Sequence, residues 1–249
     1  MKNIEYKTEE IQLYFSSNRN KWDDFYPSEK WVLSKLAQER GAFGDVLDVG
    51  CACGGLGAAL NEKFIVGSYT GIDISGAAID WACKHLALPV ETKLIAGDFL
   101  EIDLAGREYD TVFSLSCADW NIETDKIIDL AWQRVKPGGY FIISLRLTDK
   151  TGVNDIKKSY QYINYSGQEK TPEIANYVVF NWKTFLDNMK KLVPSPEVIG
   201  AYGYWGKPSA TAVTPYERLV FTVFYIKKSD NRSINDIRVE LDMPLDILI

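Results

Sequence analysis

The chain is poor in the residues that metal and redox sites are built from. Its 249 residues hold one histidine, His85, and four cysteines, Cys51, Cys53, Cys83 and Cys117, with no Cys-x-x-Cys pair. That argues against a zinc site or a dithiol redox motif. No stretch of 18 apolar residues is present, so no membrane-spanning helix is expected. The start, "MKNIEYKTEEIQ", is charged and lacks the apolar core of a secretory signal. Disulfides are not expected in such a chain, and the reducing cytosol is the expected compartment. Positive charge is also in deficit. Twenty-eight basic against 34 acidic residues leave a net charge of −6, which speaks against broad contact with nucleic-acid backbones.

What is present is ordinary for a globular chain: 46% hydrophobic and 25% charged residues, with no repeat and no linker composition. One domain over 1–249 is expected. "YPSEKWVLSKLAQERG" reads as a helix with Ser28 as its cap, and residues 1–40 as N-terminal cap helices. After it, strands alternate with helices: "DVLDVG", "SYTGIDIS", "ETKLIAGDFL", "YDTVFSLS" and "YFIISLRL" are separated by helical stretches such as "GAAIDWACKHLAL" and "ETDKIIDLAWQRV". That alternation argues for a mostly parallel sheet with helices on both faces. It stops after Leu147. Residues 149–181 have no clean period and are rich in tyrosine, and read as an insertion over the sheet edge or the site. "PEVIGAYGYW" and "YERLVFTVFYIKK" look like two further strands. The tail 229–249 ends "IRVELDMPLDILI", too apolar to be solvated, and is expected to dock on the body or on a second subunit, which leaves a homodimer open.

Ligands of open parallel sheets bind beyond the carboxyl ends of the strands. Here those ends carry Asp48, Asp73, Asp98, the run Ser116 to Asn121, and Asp149. Between the first strand and its helix lies "VLDVGCACGGLG". Gly50, Ala52 and Gly55 can be read as a degenerate dinucleotide loop, with Asp73 as the ribose-binding acid. A phosphate dianion, however, would be repelled by Asp48 just before the loop. S-adenosylmethionine (SAM) carries a sulfonium and an ammonium and no phosphate, and suits that carboxylate better.

Taken in order, "VLDVGCACGG", "GIDIS", "AGDFLEID", "YDTVFSLSCADWN" and "VKPGGYFIISL" resemble the class I SAM-dependent methyltransferases, over about residues 28–147 and on through "RLVFTVFYI". The resemblance implies an α/β fold with a seven-stranded sheet, helices on both faces and an antiparallel last strand. It implies that Asp48, Gly50, Ala52 and Gly54 wrap the methionine part of SAM, and that S-adenosylhomocysteine (SAH) is the product. Asp73 would take the ribose hydroxyls and Ile74 pack near the adenine. Asp98 and the Phe99 amide would meet the adenine, and Ser116 line the floor. The chain departs from the family at Ala52, where the middle loop glycine is expected.

Cys51 and Cys53 read as small filler in a tight loop. For catalysis, Asp119 in "CADWN" is the first candidate base and His85 the second. That loop has no proline, so it lacks the signature of DNA amino-methylation. Asp119 with Asp149 raises a magnesium site of the catechol type, but Lys150 follows Asp149 where Asn is usual, so no metal is expected. Arg19 and Arg146 are candidates to position a charged acceptor. Tyr14, Arg19, Trp22, Tyr26 and Trp31 resemble the cap that closes over SAM in related enzymes. Among the aromatic residues of the insertion (Tyr160, Tyr162, Tyr165, Tyr177, Phe180 and Trp182), Tyr162 and Tyr165 are taken as substrate candidates, with Trp120 beside them. The insertion and "RNKWDDFYPSEKWVL" resemble methyltransferases of bacterial surface-polysaccharide pathways. That implies a hydroxyl or other oxygen of a sugar, nucleotide sugar or phosphorylated intermediate as acceptor. A small-molecule acceptor is thus expected, with no nucleic acid and no membrane partner. Two other readings stand: an NAD(P)-dependent oxidoreductase on the same loop, and a non-catalytic SAM-fold partner subunit.

Overall fold

Strands buried on both faces need apolar runs rather than alternation, and "VLDV", "TVFS" and "YFIISL" supply them. A computed structural model of the chain describes residues 16–17, 19–163, 173–230 and 236–248. Its elements run α1 (Pro27–Arg40), β1 (Ala42–Val49), α2 (Gly55–Lys63), β2 (Ile65–Asp73), α3 (Gly76–His85), β3 (Glu91–Ala96), β4 (Tyr109–Ser114), α4 (Thr124–Gln133) and β5 (Val135–Thr148). Then follow β6 (Tyr160–Tyr162), β7 (Ile174–Asn176), β8 (Phe180–Asn181), α5 (Trp182–Met189), β9 (Pro196–Gly206), β10 (Ala212–Val213), β11 (Leu219–Lys228), β12 (Arg238–Asp242) and α6 (Leu245–Leu248).

The main sheet has nine strands in the order β12-β9-β11-β5-β4-β1-β2-β3, with β8 pairing β5 off this path. β1 to β5 pair in parallel, and β11 runs antiparallel to both β5 and β9. The seven expected strands are therefore joined by two more, the short β8 and the tail strand β12. One face is covered by α4 and α5, where Ile128, Trp132 and Phe185 pack with Val112, Phe141 and Phe224. The other is covered by α1, whose Val32, Leu33 and Leu36 pack with Phe43, Phe113 and Val223. Ser28 does not cap α1. Tyr26 holds that position, Pro27 supplies the preset first turn, and Glu29 Oε2 accepts from the Tyr26 amide at 2.9 Å.

The insertion builds a second small sheet, in which β6 pairs with β7 and with β10 from the β9–β11 connection. The described part of the tail docks on its own chain: β12 pairs in parallel with β9, and Trp205 Nε1 donates to Asp246 Oδ1 at 2.7 Å. Ile247 is fully buried there. Ile247→Ala is expected to lower unfolding free energy by about 2–5 kcal/mol, read by denaturant melts, because the cavity it leaves lies in a packed edge.

Candidate active site

The β1–α2 loop is held in a strained path. Gly50 and Gly54 have φ of +79° and +80°, and Ala52 shares the left-handed region at +47°. An alanine there costs about 1 kcal/mol. Asp73 at the end of β2 offsets that cost: its Oδ2 accepts from the Ala52 amide and its Oδ1 from the Ser75 amide, both at 2.8 Å. Burial raises the Asp73 carboxyl, and these two amides pull it back. The departure from the family pattern at Ala52 is thus tied down by the residue expected to read the ribose.

Asp48 is buried behind the loop and accepts from the Tyr69 hydroxyl at 2.6 Å. Burial pushes its carboxyl up to about 7, against the Tyr69 bond and the Arg19 charge, with Asp73 adding to the rise. The sign follows directly. The proton is favoured in the empty site, whereas a cationic ligand favours the ionised form. Affinity for SAM is therefore expected to rise about tenfold from pH 6 to pH 8. Calorimetric titration of wild type against Asp48→Asn checks this, since the ligand's own amine titrates in both and cancels.

Arg19, Phe25 and Tyr26 close the same site. A side chain on Gly55 would run into the Arg19 carbonyl oxygen, so the backbone at Arg19 rests on the start of α2. Arg19 Nη1 donates to Ser116 Oγ at 2.9 Å, and Nη2 pairs with Glu29 Oε1 at 2.6 Å. The guanidinium lies 4.7 Å from the Phe25 ring centre. Burial raises the Glu29 carboxyl, with Arg19 opposing.

Beyond the loop, Arg146 of β5 donates through Nε to Asp119 Oδ2 at 2.9 Å, with both side chains buried. The guanidinium is 3.7 Å from the Tyr177 ring centre and 4.6 Å from that of Trp120. A cavity of about 660 Å³ joins these parts. Its wall includes Asp48, Gly50 and Ala52 of the loop, and Arg19 and Tyr26 of the cap. Ser116, Asp119, Trp120, Arg146 and Tyr162 form its far side.

Gly54, Asp73, Ile74, Asp98 and Phe99 are not in that wall. They stand at the loop's end and at the ends of β2 and β3, where the nucleoside half of the cofactor is expected. Asp98 Oδ1 caps its own turn by accepting from the Leu100 amide, and Phe99 is buried. His85 lies elsewhere, exposed near the end of α3 and stacked on Trp81 at 4.4 Å. Trp22 packs on Phe64 and is also outside the cavity. Tyr14 and Tyr165 lie outside the described residues. Glu29, Gln161 and Tyr177 line the cavity as well. Nothing in the sequence spacing marks Glu29, whose Oε1 turns to Arg19. Cys51 and Cys53 are buried and Cys117 packs against Gly50, consistent with thiols as filler.

These features define the class I SAM-dependent methyltransferase fold. Residues 46–139 match the family model described as a methyltransferase domain. Solved structures share the fold at low identity. One is a SAM-dependent methyltransferase from Methanosarcina mazei, 16% identical, with TM-score 0.58 over 83% of this chain and 99% of that one. A second, from Clostridium acetobutylicum, is 15% identical, with TM-score 0.50 over 79% and 89% of the two chains. The [4+2]-cyclase SpnF is 14% identical, with TM-score 0.52 over 80% and 81%. No curated protein sequence matches the chain. The chain thus has the fold of SAM-dependent methyltransferases, and residues 46–139 match a methyltransferase domain. The residues present fit SAM: a buried carboxylate for its positive charge at Asp48, and a fixed carboxylate at Asp73. No helix of the described residues is long and apolar enough to cross a membrane.

Proposed function

We propose that the chain transfers a methyl group from SAM to a hydroxyl oxygen of a small polar molecule, with Asp119 as general base. The observation that carries this reading is one cavity running from the Asp48 loop to a buried carboxylate whose Oδ1 has no partner. Bound SAM supplies a methyl group on a sulfonium sulfur, which leaves as a neutral thioether. Asp48 offsets the cofactor's positive charge. Asp73 takes the ribose hydroxyls and Asp98 the adenine. The cap at Arg19, Phe25 and Tyr26 keeps water from the transfer path.

Asp119 Oδ1 takes the hydroxyl proton as the oxygen is alkylated. Burial raises this carboxyl and Arg146 pulls it down. A carboxylate whose proton affinity burial has raised is a better proton acceptor than an ordinary exposed one. A sugar or nucleotide sugar of surface-polysaccharide assembly, the acceptor the sequence resemblance implies, supplies such a hydroxyl. Its phosphates would stay at the mouth, beside the exposed Lys207. Nucleic acid and membrane surfaces have no part in this reading. The reducing cytosol suits the four free thiols.

Thermal melts with SAM, SAH, NADH and NADPH test it. Stabilisation by SAM and SAH alone is expected. A shift with the nicotinamide cofactors alone would favour an oxidoreductase. No shift with any of them, together with a co-purifying partner, would favour a non-catalytic subunit.

A further inference from the structure

Buried polar atoms without partners are rare in folded chains, and each calls for an account. Seven such side-chain atoms occur among the described residues, and five belong to residues of this one cavity wall: Arg19 Nε, Asp119 Oδ1, Arg146 Nη1 and Nη2, and Gln161 Oε1. Arg146 and Asp119 are both nine-tenths buried or more. The Arg146 end is thus a pair of donors, and an empty acceptor stands beside it on Asp119.

Charge decides what fills this edge. A carboxylate or phosphate matches the two Arg146 nitrogens in shape. It would, however, lie against Asp119, whose charge Arg146 already balances at 2.9 Å. A cation would meet the reverse problem at Arg146. Adding either ion leaves a net charge beside two buried side chains. A neutral hydroxyl has neither cost, and unlike either ion it both donates to Asp119 Oδ1 and accepts from an Arg146 nitrogen. A second hydroxyl on the next carbon accepts from the other nitrogen. The two rings against the guanidinium fix its plane, so the donors stay aimed.

We infer that the Arg146–Asp119 edge is the acceptor subsite for a neutral vicinal diol, of the kind found on sugars, nucleosides and catechols, with one hydroxyl on Asp119 and its neighbour read by Arg146. This rests on the methyltransferase reading and narrows its acceptor. The three aromatic side chains Trp120, Tyr162 and Tyr177 give the same wall apolar surface for the carbon skeleton.

The test uses the whole chain. Ligand-observed NMR, with and without SAH, measures binding of neutral diols (methyl hexopyranosides, inositol, uridine, catechol), of matched deoxy analogues, and of simple carboxylates and amines lacking a diol. Transfer from methyl-labelled SAM is followed on the same compounds. Diols are expected to bind and take label, with the wild type losing about tenfold or more in affinity when the neighbouring hydroxyl is removed. Arg146→Lys keeps the charge but not the fork; it is expected to weaken the diol more than the deoxy analogue, so that the tenfold difference between the two shrinks. Preference for carboxylates or amines, no binding by any diol, or equal loss for diol and deoxy analogue overturns the inference. Calorimetry with SAH separates this from the parent reading: if SAH does not bind, that reading falls too.

Discussion

Asp119→Asn is expected to lower kcat for the methylated acceptor by about 10²–10⁴-fold, the usual worth of a positioned general base, and to leave SAH affinity unchanged. The amide keeps the shape and keeps an oxygen for Arg146 Nε, but it cannot take the acceptor's proton. It also leaves the buried Arg146 charge without its counter-ion. Breaking such a pair costs about 3–5 kcal/mol, so the single variant will melt earlier. The double variant Asp119→Asn with Arg146→Gln removes both charges and is expected to recover much of that stability while staying inactive. Single-turnover rates and thermal melts on both proteins separate the two effects. Near-normal turnover in either would remove Asp119 from the role of base.

The proposed cofactor half of this site could be placed from the sequence because it is local. Asp48, Gly50, Ala52 and Gly54 lie within seven consecutive residues, and their spacing prescribes a turn between a strand and a helix. The ends of β2 and β3 could be placed by the same reasoning, since parallel strands deliver their last residues to one edge. The acceptor half is different. Asp119 and Arg146 come from separate strand ends, and Tyr177 and Gln161 from an insertion with no period to read. Their meeting is a tertiary fact, and spacing does not encode it. The fold shows the same division. The parallel core followed from apolar runs, but β12 did not. "RVELD" is short and charged, and it becomes a strand because β9 offers an open edge in register, Arg238 against Val198. The apolar residues after it did signal burial, and Met243 and Ile247 are indeed buried.

Asp73→Ala is expected to weaken SAH binding by about 10²–10⁴-fold, because the two ribose hydroxyl contacts proposed for this carboxylate would be lost at about 1.5–3 kcal/mol each. A second cause competes with that one. The same carboxylate holds the Ala52 amide, and without it an alanine at φ +47° has nothing to offset its strain. Ala52→Gly separates the two. Glycine reaches positive φ without penalty, so adding it to Asp73→Ala relaxes the loop but restores no ribose contact. The double variant is expected to regain part of the lost thermal stability and almost none of the lost affinity, read by melts and calorimetry with SAH. Recovery of affinity along with stability would mean that Asp73 acts through the loop, not through the cofactor.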